Sequence, residues 1–324
     1  WAWAMAETVA VIGAGAWGTA LAQAAASAGR TVTLVGRDPA VIEDVTRHHR
    51  NSKHLGDLPI SERITASAEL PDADLAILAV PAQQSRAALT LVADRLAGRP
   101  VILSAKGLEA GTLKRQSEIL AEIVPTAVPY ILSGPSFAVD VAAGRPTAVT
   151  LAGDDADATD AVAAAIAGPT FRPYAAGDIL GVEIAGALKN LSARACGAVE
   201  GAGLGASARA AVIARAFAEL SRYIVALGGS ATTLTGLAGL GDLTLSCTSA
   251  ESRNYRYGMA LGAGTPPGSA LAEGVATTPV AKALAAKLTI DAPLVDAVDL
   301  LLAGNYSISE IVAGLMSRPL KREE

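Results

Sequence analysis

Gly13-Ala14-Gly15-Ala16-Trp17-Gly18 directly follows the apolar run Thr8–Ile12 and leads into an alanine-rich stretch. This order predicts a strand, a glycine turn and a helix, as at the start of a doubly wound α/β domain. Gly13 would permit the tight turn, Gly15 would let the backbone approach a pyrophosphate, and Gly18 would let the helix pack closely on the strand. A glycine turn without a ligand has the same pattern, so the case for a dinucleotide site depends on the residues that come after the turn.

The residues after this turn complete a β-α-β unit. A predicted helix over Thr19–Ala28 is followed by the strand-like run Thr31–Val35. An NAD-selective site has an acidic residue at the end of the second strand, whereas this chain has Gly36-Arg37-Asp38. Glycine followed by arginine leaves room and charge for a 2′-phosphate, so NADP is favoured over NAD. Asp38 keeps the choice between NADP and NAD open, since this acidic residue either serves an NAD site or caps a helix that begins at Pro39.

Composition limits the classes of function. The chain has 324 residues, enough for two domains, and a formal net charge of -5. That charge argues against nucleic acid or an anionic membrane as a partner, so an anionic ligand would need locally placed cations. Two cysteines, Cys196 and Cys247, are too few for a disulfide framework and fit a reducing cytoplasm. His48, His49 and His54 lack metal-ligand spacing, so no metal site is expected.

Strand-like runs recur along the first half of the chain, separated mostly by helix-like stretches. They are Asp74–Val80, Val101–Ser104, Tyr130–Leu132 and Thr147–Leu151. This alternation predicts a parallel sheet with helices on both faces, where ligands bind beyond the carboxyl ends of the strands. The candidates at that edge are Pro81, Lys106 and the turn Ser133-Gly134-Pro135-Ser136.

Beyond about residue 178, apolar residues recur every three or four positions, which predicts an all-helical second half. The expected helices cover Gly181–Val199, Ser207–Leu227, Ser269–Leu288, Leu294–Ala303 and Ser307–Met316. The uncharged stretch Tyr223–Gly241 contains too many glycines for a membrane span and is expected to form a helix end, loop and turn. We therefore expect an α/β Rossmann-like dinucleotide-binding domain over residues 6–177 and an all-helical substrate domain over residues 178–324.

Lys189 lies on one of these predicted helices among small, uncharged neighbours such as Ala185, Gly186 and Ala193. Another element packed closely on that face would desolvate the ammonium and make it a better proton donor. A surface lysine whose stem covers apolar residues has the same pattern, so both interpretations stay open. Asn190 either orients a polar ligand or is a solvated helix residue.

Lys106 follows a predicted strand, where a cation can polarise a carbonyl or hydroxyl oxygen. Gly134-Pro135-Ser136-Phe137 is placed similarly, and the Ser136 hydroxyl and the backbone N–H groups are neutral donors. For the lysine an ordinary loop residue remains the alternative, and for the glycine segment an ordinary tight turn.

A further polar cluster, Ser252-Arg253-Asn254, follows the glycine-rich Gly239-Leu240-Gly241-Asp242 in a region expected to be rich in loops. Arg253 is suited to bidentate capture of a phosphate, with Arg256 as its substitute. A solvated charged loop is the competing interpretation. Glu273 either contacts a ligand amide or is a surface glutamate.

Seven motifs follow one another along the chain. They are Gly-Ala-Gly-Ala-Trp-Gly at 13–18, Ser-Ala-Lys-Gly-Leu-Glu at 104–109, Gly-Pro-Ser-Phe-Ala at 134–138, Ala-Leu-Lys-Asn at 187–190, Gly-Leu-Gly-Asp-Leu at 239–243, Ser-Arg-Asn at 252–254 and Ala-Glu-Gly-Val-Ala-Thr-Thr at 272–278. Together they resemble the bacterial NAD(P)-dependent glycerol-3-phosphate dehydrogenases, over residues 8 to 316. The resemblance implies reversible hydride transfer between the nicotinamide and C2 of sn-glycerol 3-phosphate, giving dihydroxyacetone phosphate. It also implies a supply of glycerol 3-phosphate for phospholipid synthesis and a cytoplasmic homodimer.

The same resemblance implies roles for individual residues. Lys189 would be the general acid/base at the C2 oxygen, Lys106 would polarise that oxygen or hold the substrate, and Asp242 would help to orient the lysine. The substrate-binding residues would be Lys106, Gly134, Ser136, Lys189, Asn190, Asp242, Ser252, Arg253 and Asn254. The cofactor-binding residues would be Gly13, Gly15, Ala16, Trp17, Gly18, Arg37, Lys106, Ala138, Arg253, Leu271 and Glu273.

One loop departs from the family pattern, which has an aromatic residue, leucine and proline shortly after an asparagine. Here Asn51-Ser52-Lys53-His54-Leu55-Gly56 replaces the aromatic with His54 and the proline with Gly56. Because that loop lies near the nicotinamide end of the site in the family, rate, cofactor preference or loop order would be affected.

Two other functions fit parts of the pattern. A two-domain dehydrogenase for a β-hydroxy acid or a ketopantoate-like substrate shares the nucleotide domain and a helix lysine, but a carboxylate substrate does not need Arg253-Asn254. A nucleotide-sensing protein without catalysis does not need Lys106, Lys189 and Asp242.

Overall fold

The computed structural model describes residues 6–268 and 277–319. Contacts between residues divide the chain into two compact units. The first unit contains residues 1–187 and 228–242, and the second contains residues 188–227 and 243–324. The boundary expected at residue 177 lies just before the long helix Ile179–Gly201, and the contacts divide within that helix. The segment 228–242, expected in the helical domain, belongs to the first unit.

The first unit contains one sheet of eight strands, which lie in the order β3-β2-β1-β4-β5-β6-β7-β8. They are β1 (Thr8–Ile12), β2 (Thr31–Val35), β3 (Ile64–Ser67), β4 (Leu75–Leu78), β5 (Pro100–Leu103), β6 (Val128–Ser133), β7 (Thr147–Ala152) and β8 (Phe171–Ala176). Strands β1 to β6 pair in parallel, as predicted, but β7 is antiparallel to β6. The predicted parallel arrangement is wrong for the pair β6 and β7. The short connection over residues 134–146 returns the chain beside β6 in the opposite direction, and β8 is again parallel to β7.

Helices cover both faces of this sheet. They are α1 (Ala16–Ser27), α2 (Pro39–His48), α3 (Ser52–Leu55), α4 (Ser85–Leu96), α5 (Gln116–Ile123), α6 (Ala138–Ala142) and α7 (Ala156–Ile166). Alternate residues of β1 enter different cores, with Val9 and Val11 in one and Ala10 and Ile12 in the other. The strand is apolar at every position from Val9 onward because both faces are buried.

All regular structure that is described in the second unit is helical, in agreement with the prediction. After α8 (Ile179–Gly201), which begins in the first unit, come α9 (Ala206–Ala226), α10 (Asp242–Thr248), α11 (Arg253–Gly262), α12 (Thr277–Leu288), α13 (Pro293–Ala303) and α14 (Ile308–Met316). The helix predicted over Ser269–Leu288 is present from Thr277, and its earlier part lies outside the described residues. The α/β unit followed by a helical unit confirms the predicted fold class.

The glycine-rich segment after α9 forms two short turns. Ala231–Thr235 is a 3₁₀ turn and Leu237–Gly241 a π turn. Across residues 6–268 and 277–319, no helix has the length and apolarity that a bilayer span requires.

Candidate active site

The glycine turn after β1 is shaped by backbone contacts that exclude side chains. Gly13 has a φ of 118°, and a Cβ there would lie 2.6 Å from the Ala79 carbonyl oxygen. A Cβ on Gly18 would lie 1.8 Å from the Gly13 carbonyl oxygen. Only glycine fits at either position, so the strand and α1 approach as closely as a pyrophosphate site requires.

The N-terminus of α1 is open to a ligand. Gly15 is its N-cap residue, makes no side-chain cap, and a Cβ on it would meet nothing within 4 Å. The backbone N–H groups of the first turn therefore face a space that a phosphate can enter. This cradle fits the pyrophosphate of a dinucleotide. Ala16 and Trp17 lie on that turn, and Trp17 packs against the core beneath it.

Asn51 supports the glycine turn from a position that sequence reasoning did not select. Its Nδ2 donates to the Ala14 carbonyl at 3.0 Å and to Thr19 Oγ1 at 2.7 Å, and the residue is fully buried. The atypical loop after it forms α3, which ends at Gly56 with a φ of 63°, and His54 is exposed there. Gly56 thus adopts a left-handed conformation that proline cannot adopt.

The end of β2 is followed by an exposed arginine, Arg37, and by an aspartate, Asp38, that forms a helix cap and an ion pair. Asp38 caps α2, because its Oδ1 accepts from the Ala40 N–H at 3.0 Å, and its Oδ2 pairs with Lys53 Nζ at 2.7 Å. These contacts, above all the hydrogen bond from Lys53, lower the pKa of Asp38. Of the two possible roles of this residue, the structure shows the helix cap. Arg37 is exposed beside it.

Lys106 and Asp242 form an ion pair at the carboxyl edge of the sheet. Lys106 Nζ donates to Asp242 Oδ2 at 2.6 Å and to the Gly134 carbonyl at 3.1 Å. The Asp242 side chain is 1% exposed and that of Lys106 is 19% exposed, so bulk water screens the pair little. An ammonium has three N–H donors, and two of them are used among the described residues.

The turn after β6 places Gly134 and Ser136 beside this ion pair. Gly134 has a φ of 148°, and a Cβ on it would lie 2.9 Å from Val149 Cα, so glycine is required. Ser136 Oγ donates to the Gly134 carbonyl at 3.0 Å, the same oxygen that Lys106 contacts. Ala138, a predicted cofactor residue, begins α6 directly after this turn.

Lys189 is a buried lysine on α8, which excludes the interpretation of a surface lysine. The residue is 8% exposed, and its Nζ donates to Ser246 Oγ at 2.6 Å. Removing an ammonium from water is unfavourable, so its charge depends on the groups that surround it. Ser246, on α10, holds the position of this ammonium and was not selected from the sequence. Asn190 is half-buried beside it.

Ser252, Arg253 and Asn254 form the start of a helix, and the loop expected there is wrong. Ser252 is the N-cap of α11, with its Oγ accepting from the Tyr255 N–H at 3.3 Å, and Arg253 is the first helical residue. Arg253 is exposed, whereas Asn254 is half-buried and accepts a hydrogen bond from Arg194. A helix N-terminus with an exposed arginine favours an anionic ligand.

Close packing of α8 on α11 fixes where this helix start lies. The contact is made by glycines at which a Cβ would lie 2.0 or 2.1 Å from a backbone oxygen of the other helix: Gly197, Gly201, Gly258 and Gly262. The contacts advance in the same direction along both helices, so the helices run parallel. The N-terminus of α11 therefore lies beside the part of α8 that follows Lys189.

Leu271 and Glu273, two of the predicted cofactor residues, lie outside the described residues. Three residues that belong to the candidate site were missed: Asn51, Arg194 and Ser246. Helical spacing could have indicated two of them, since Arg194 follows Asn190 by four residues and Ser246 follows Asp242 by four.

Comparisons with known proteins identify the family of this chain. The family model described as NAD-dependent glycerol-3-phosphate dehydrogenase N-terminus matches residues 8–159, and the corresponding C-terminus model matches residues 178–313. Glycerol-3-phosphate dehydrogenase (NAD(P)+) of Caulobacter vibrioides is 50% identical over 327 residues, which cover 98% of this chain and 99% of that protein. Its counterpart from Brucella canis is 47% identical over 326 residues, 99% of this chain and 100% of that protein.

A solved structure shows the same likeness in three dimensions. The crystal structure of glycerol-3-phosphate dehydrogenase from Coxiella burnetii has a TM-score of 0.89 at 34% identity, covering 97% of this chain and 99% of that one. The ordered motifs, the α/β unit followed by helices, and relatives alike over nearly the whole length confirm the resemblance: the chain belongs to the NAD-dependent glycerol-3-phosphate dehydrogenase family.

Proposed function

We propose that this chain interconverts sn-glycerol 3-phosphate and dihydroxyacetone phosphate with NADP or NAD. The observation that carries the proposal, beyond family membership, is the buried Lys189 ammonium in the same unit as the α11 N-terminus with Arg253. A proton-transfer group and an anion-binding helix end are what a phosphorylated alcohol requires. A bound nicotinamide supplies and accepts the hydride.

Lys189 is the proposed general acid/base. In the direction of reduction its ammonium gives a proton to the C2 oxygen of dihydroxyacetone phosphate, and in the direction of oxidation the amine takes it back. Ser246 Oγ, at 2.6 Å, keeps Nζ in one position while the proton moves. Lys106, held by Asp242, is proposed to polarise the C2 oxygen or to hold the substrate, as the family resemblance implies.

The phosphate is proposed to bind at the start of α11. Arg253 donates to two of its oxygens, the N-terminal backbone and Asn254 add neutral donors, and Ser252 caps the helix that presents them. Asn190, Gly134 and Ser136 are proposed to contact the remaining oxygens of the substrate.

The cofactor is proposed to bind the glycine turn, with its pyrophosphate on Gly15, Ala16, Trp17 and their neighbours Gly13 and Gly18. Arg37 would pair with a 2′-phosphate, so NADPH is the proposed preference. The ion pair of Asp38 with Lys53 supports it, because a neutralised, helix-capping carboxylate repels a phosphate less and is less available to ribose hydroxyls. Ala138, Leu271, Glu273, Lys106 and Arg253 complete the proposed cofactor contacts.

In the cell, we propose a cytoplasmic homodimer that supplies glycerol 3-phosphate for phospholipid synthesis. Sedimentation velocity of the purified chain tests the dimer, since a monomer at micromolar concentration would contradict it.

The deciding experiment monitors dihydroxyacetone phosphate reduction at the nicotinamide absorbance, with NADPH and NADH in parallel and 2-ketopantoate as an alternative substrate. We expect turnover with dihydroxyacetone phosphate and a higher kcat/KM with NADPH. Absence of turnover with both cofactors would contradict the proposed reaction. Turnover with 2-ketopantoate alone would indicate the activity of the related hydroxy-acid dehydrogenases instead. A preference for NADH would contradict the proposed role of Arg37.

A further inference from the structure

Arg194 is a buried guanidinium on α8 that the proposed reaction does not use. It is the largest fully buried side chain in the described chain, with an exposure of 0%. Its Nη2 donates to Asn254 Oδ1 at 3.0 Å, its Nη1 donates to Thr278 Oγ1 at 3.3 Å, and its Nε has no acceptor among the described residues. Its guanidinium carbon lies 5.4 Å from the centre of the Tyr257 ring.

None of these partners is a carboxylate. Two of the other buried charged groups are ion-paired: Glu183 with Arg115 at 3.0 Å, and Asp242 with Lys106. Burial lowers the pKa of Arg194 to about 10, so the guanidinium remains charged at neutral pH. A buried cation whose partners among the described residues are all neutral is in an unfavourable environment, and an anion bound nearby reduces that cost.

The hydrogen bond to Asn254 also decides which end of that amide is left for a ligand. A guanidinium only donates, so the amide atom facing it must be the carbonyl oxygen Oδ1. The NH₂ group, Nδ2, is then the other end of the amide. Asn254 lies on the first turn of α11 next to Arg253, so its NH₂ group is a donor at a helix N-terminus, where an anion is favoured.

We propose that Arg194 is a positioning residue for a phosphate monoester: it turns the Asn254 amide so that its NH₂ group faces the phosphate, and its own charge is balanced when the phosphate binds. This inference rests on the proposed phosphate subsite at the start of α11 and adds to it a second guanidinium, which lies beneath the first and acts through Asn254. Arg253 contacts the phosphate from the exposed side.

The test uses inorganic phosphate as the probe, with binding to the full-length protein measured by calorimetry. Arg194→Met removes the charge and the donors at similar length, and we expect phosphate affinity to fall on the order of 10- to 100-fold. The same variant should raise KM for dihydroxyacetone phosphate, while turnover of unphosphorylated dihydroxyacetone and affinity for NADPH stay within about 2-fold. Arg172→Met, an exposed arginine of β8, is the matched control and should change none of these quantities.

A purely structural role would instead lower the unfolding temperature and reduce turnover of both ketones together. That result, or wild-type phosphate affinity in folded Arg194→Met, would overturn the proposal. If Arg194→Met does not fold, Arg194→Lys keeps the buried charge but loses the planar fork. We expect it to weaken phosphate binding as well, and equal affinity in Arg194→Lys would contradict the positioning of Asn254. Because phosphate binding is measured without turnover, the inference can fail while the proposed reaction stands, and the reverse.

Discussion

The two units of this chain contain two different kinds of candidate anion-binding structure. In the first, Gly13, Gly15 and Gly18 remove side chains so that neutral backbone N–H groups of α1 can approach a phosphate. In the second, the cations Lys189 and Arg194 are buried in α8, where Lys189 donates to Ser246 and Arg194 donates to Asn254. A backbone cradle carries no net charge and costs little when empty, whereas buried charges are unfavourable until a ligand neutralises them. The glycine turn therefore provides shape, and the buried part of α8 provides charge.

The largest expected effect separates chemistry from cofactor binding. Lys189→Met removes the proposed proton donor, and we expect kcat for dihydroxyacetone phosphate reduction to fall by about 10²- to 10⁴-fold. NADPH affinity should stay within about 2-fold in a fluorescence titration, because Lys189 is not among the proposed cofactor contacts. Lys287→Met, the same change at an exposed lysine of α12, is the control. Retention of more than about a tenth of wild-type kcat would contradict the general acid/base role.

Two glycine substitutions distinguish packing from ligand approach in the first unit. A Cβ on Gly18 would overlap the Gly13 oxygen, so Gly18→Ala should destabilise the fold by about 1–3 kcal/mol and also weaken cofactor binding. Gly15→Ala meets nothing within 4 Å, so its unfolding temperature should not change, yet its methyl group should weaken NADPH binding roughly 100-fold. Calorimetric melting and NADPH titration measure both.

Gly177→Ala is the control for this pair, because a Cβ there also meets nothing within 4 Å and the residue lies outside the proposed cofactor site. Both its unfolding temperature and its NADPH affinity should equal those of the wild type. If Gly15→Ala binds NADPH as tightly as this control, the pyrophosphate does not approach Gly15.

The proposed cofactor choice depends on a charged side chain of the first unit, Arg37. Arg37→Ala should lower kcat/KM for NADPH roughly 10- to 30-fold and leave that for NADH within about 2-fold, since only NADPH has a 2′-phosphate. Arg95→Ala, at an exposed arginine of α4, is the control. Equal losses with both cofactors would show that Arg37 contacts a group common to the two.

The last expected effect concerns the free energy of unfolding and again reflects a charge buried in the second unit. Glu219 is 4% exposed, accepts from the Leu294 N–H at 2.5 Å, and burial raises its pKa to about 7. Between pH 4.5 and 7 the folded state therefore binds more protons than the unfolded state, so stability is fully present below pH 4.5 and falls as pH rises through 7.

Glu219→Gln keeps the size and the acceptor but does not titrate. Between pH 4.5 and 8 the wild type should lose on the order of 3 kcal/mol of its free energy of unfolding through Glu219, and this loss should be absent from the variant. Glu62→Gln, at an exposed glutamate, should leave the pH dependence as it is in the wild type. A pH profile unchanged in Glu219→Gln would show that Glu219 titrates normally.

The sequence predicted the elements that carry strong local signals. The bounds of β1 and β2 agree with the structure to the residue, because both strands are rich in β-branched residues and each is followed directly by a glycine. β3 and β8 were missed, and both are edge strands: Ile64–Ser67 is partly exposed, and Phe171–Ala176 contains an arginine and a proline. An edge strand is buried less, so its sequence lacks a continuous apolar run.

In the candidate site too, the sequence predicted one part of the local structure correctly and another part wrongly. The glycine turn was readable because its three glycines fall within six consecutive residues, although the atom nearest to a Cβ on Gly13 belongs to the distant Ala79. The start of α11 was taken for a loop because charged and polar residues surround it, although the Ser252 cap was present in the sequence.

By itself, the sequence determined the strand-turn-helix opening, the helical second half, the family and the residues that its motifs share. Tertiary structure decided the antiparallel β7, the burial of Lys189 against Ser246, the capture of Asp38 by Lys53, and the placement of Arg194 behind Asn254. The physical reason is range: a turn or a helix face depends on neighbours a few residues away. The environment of a charge depends instead on which distant side chains are packed against it. Ser246 lies 57 residues after Lys189 in the sequence, and Asn254 lies 60 residues after Arg194.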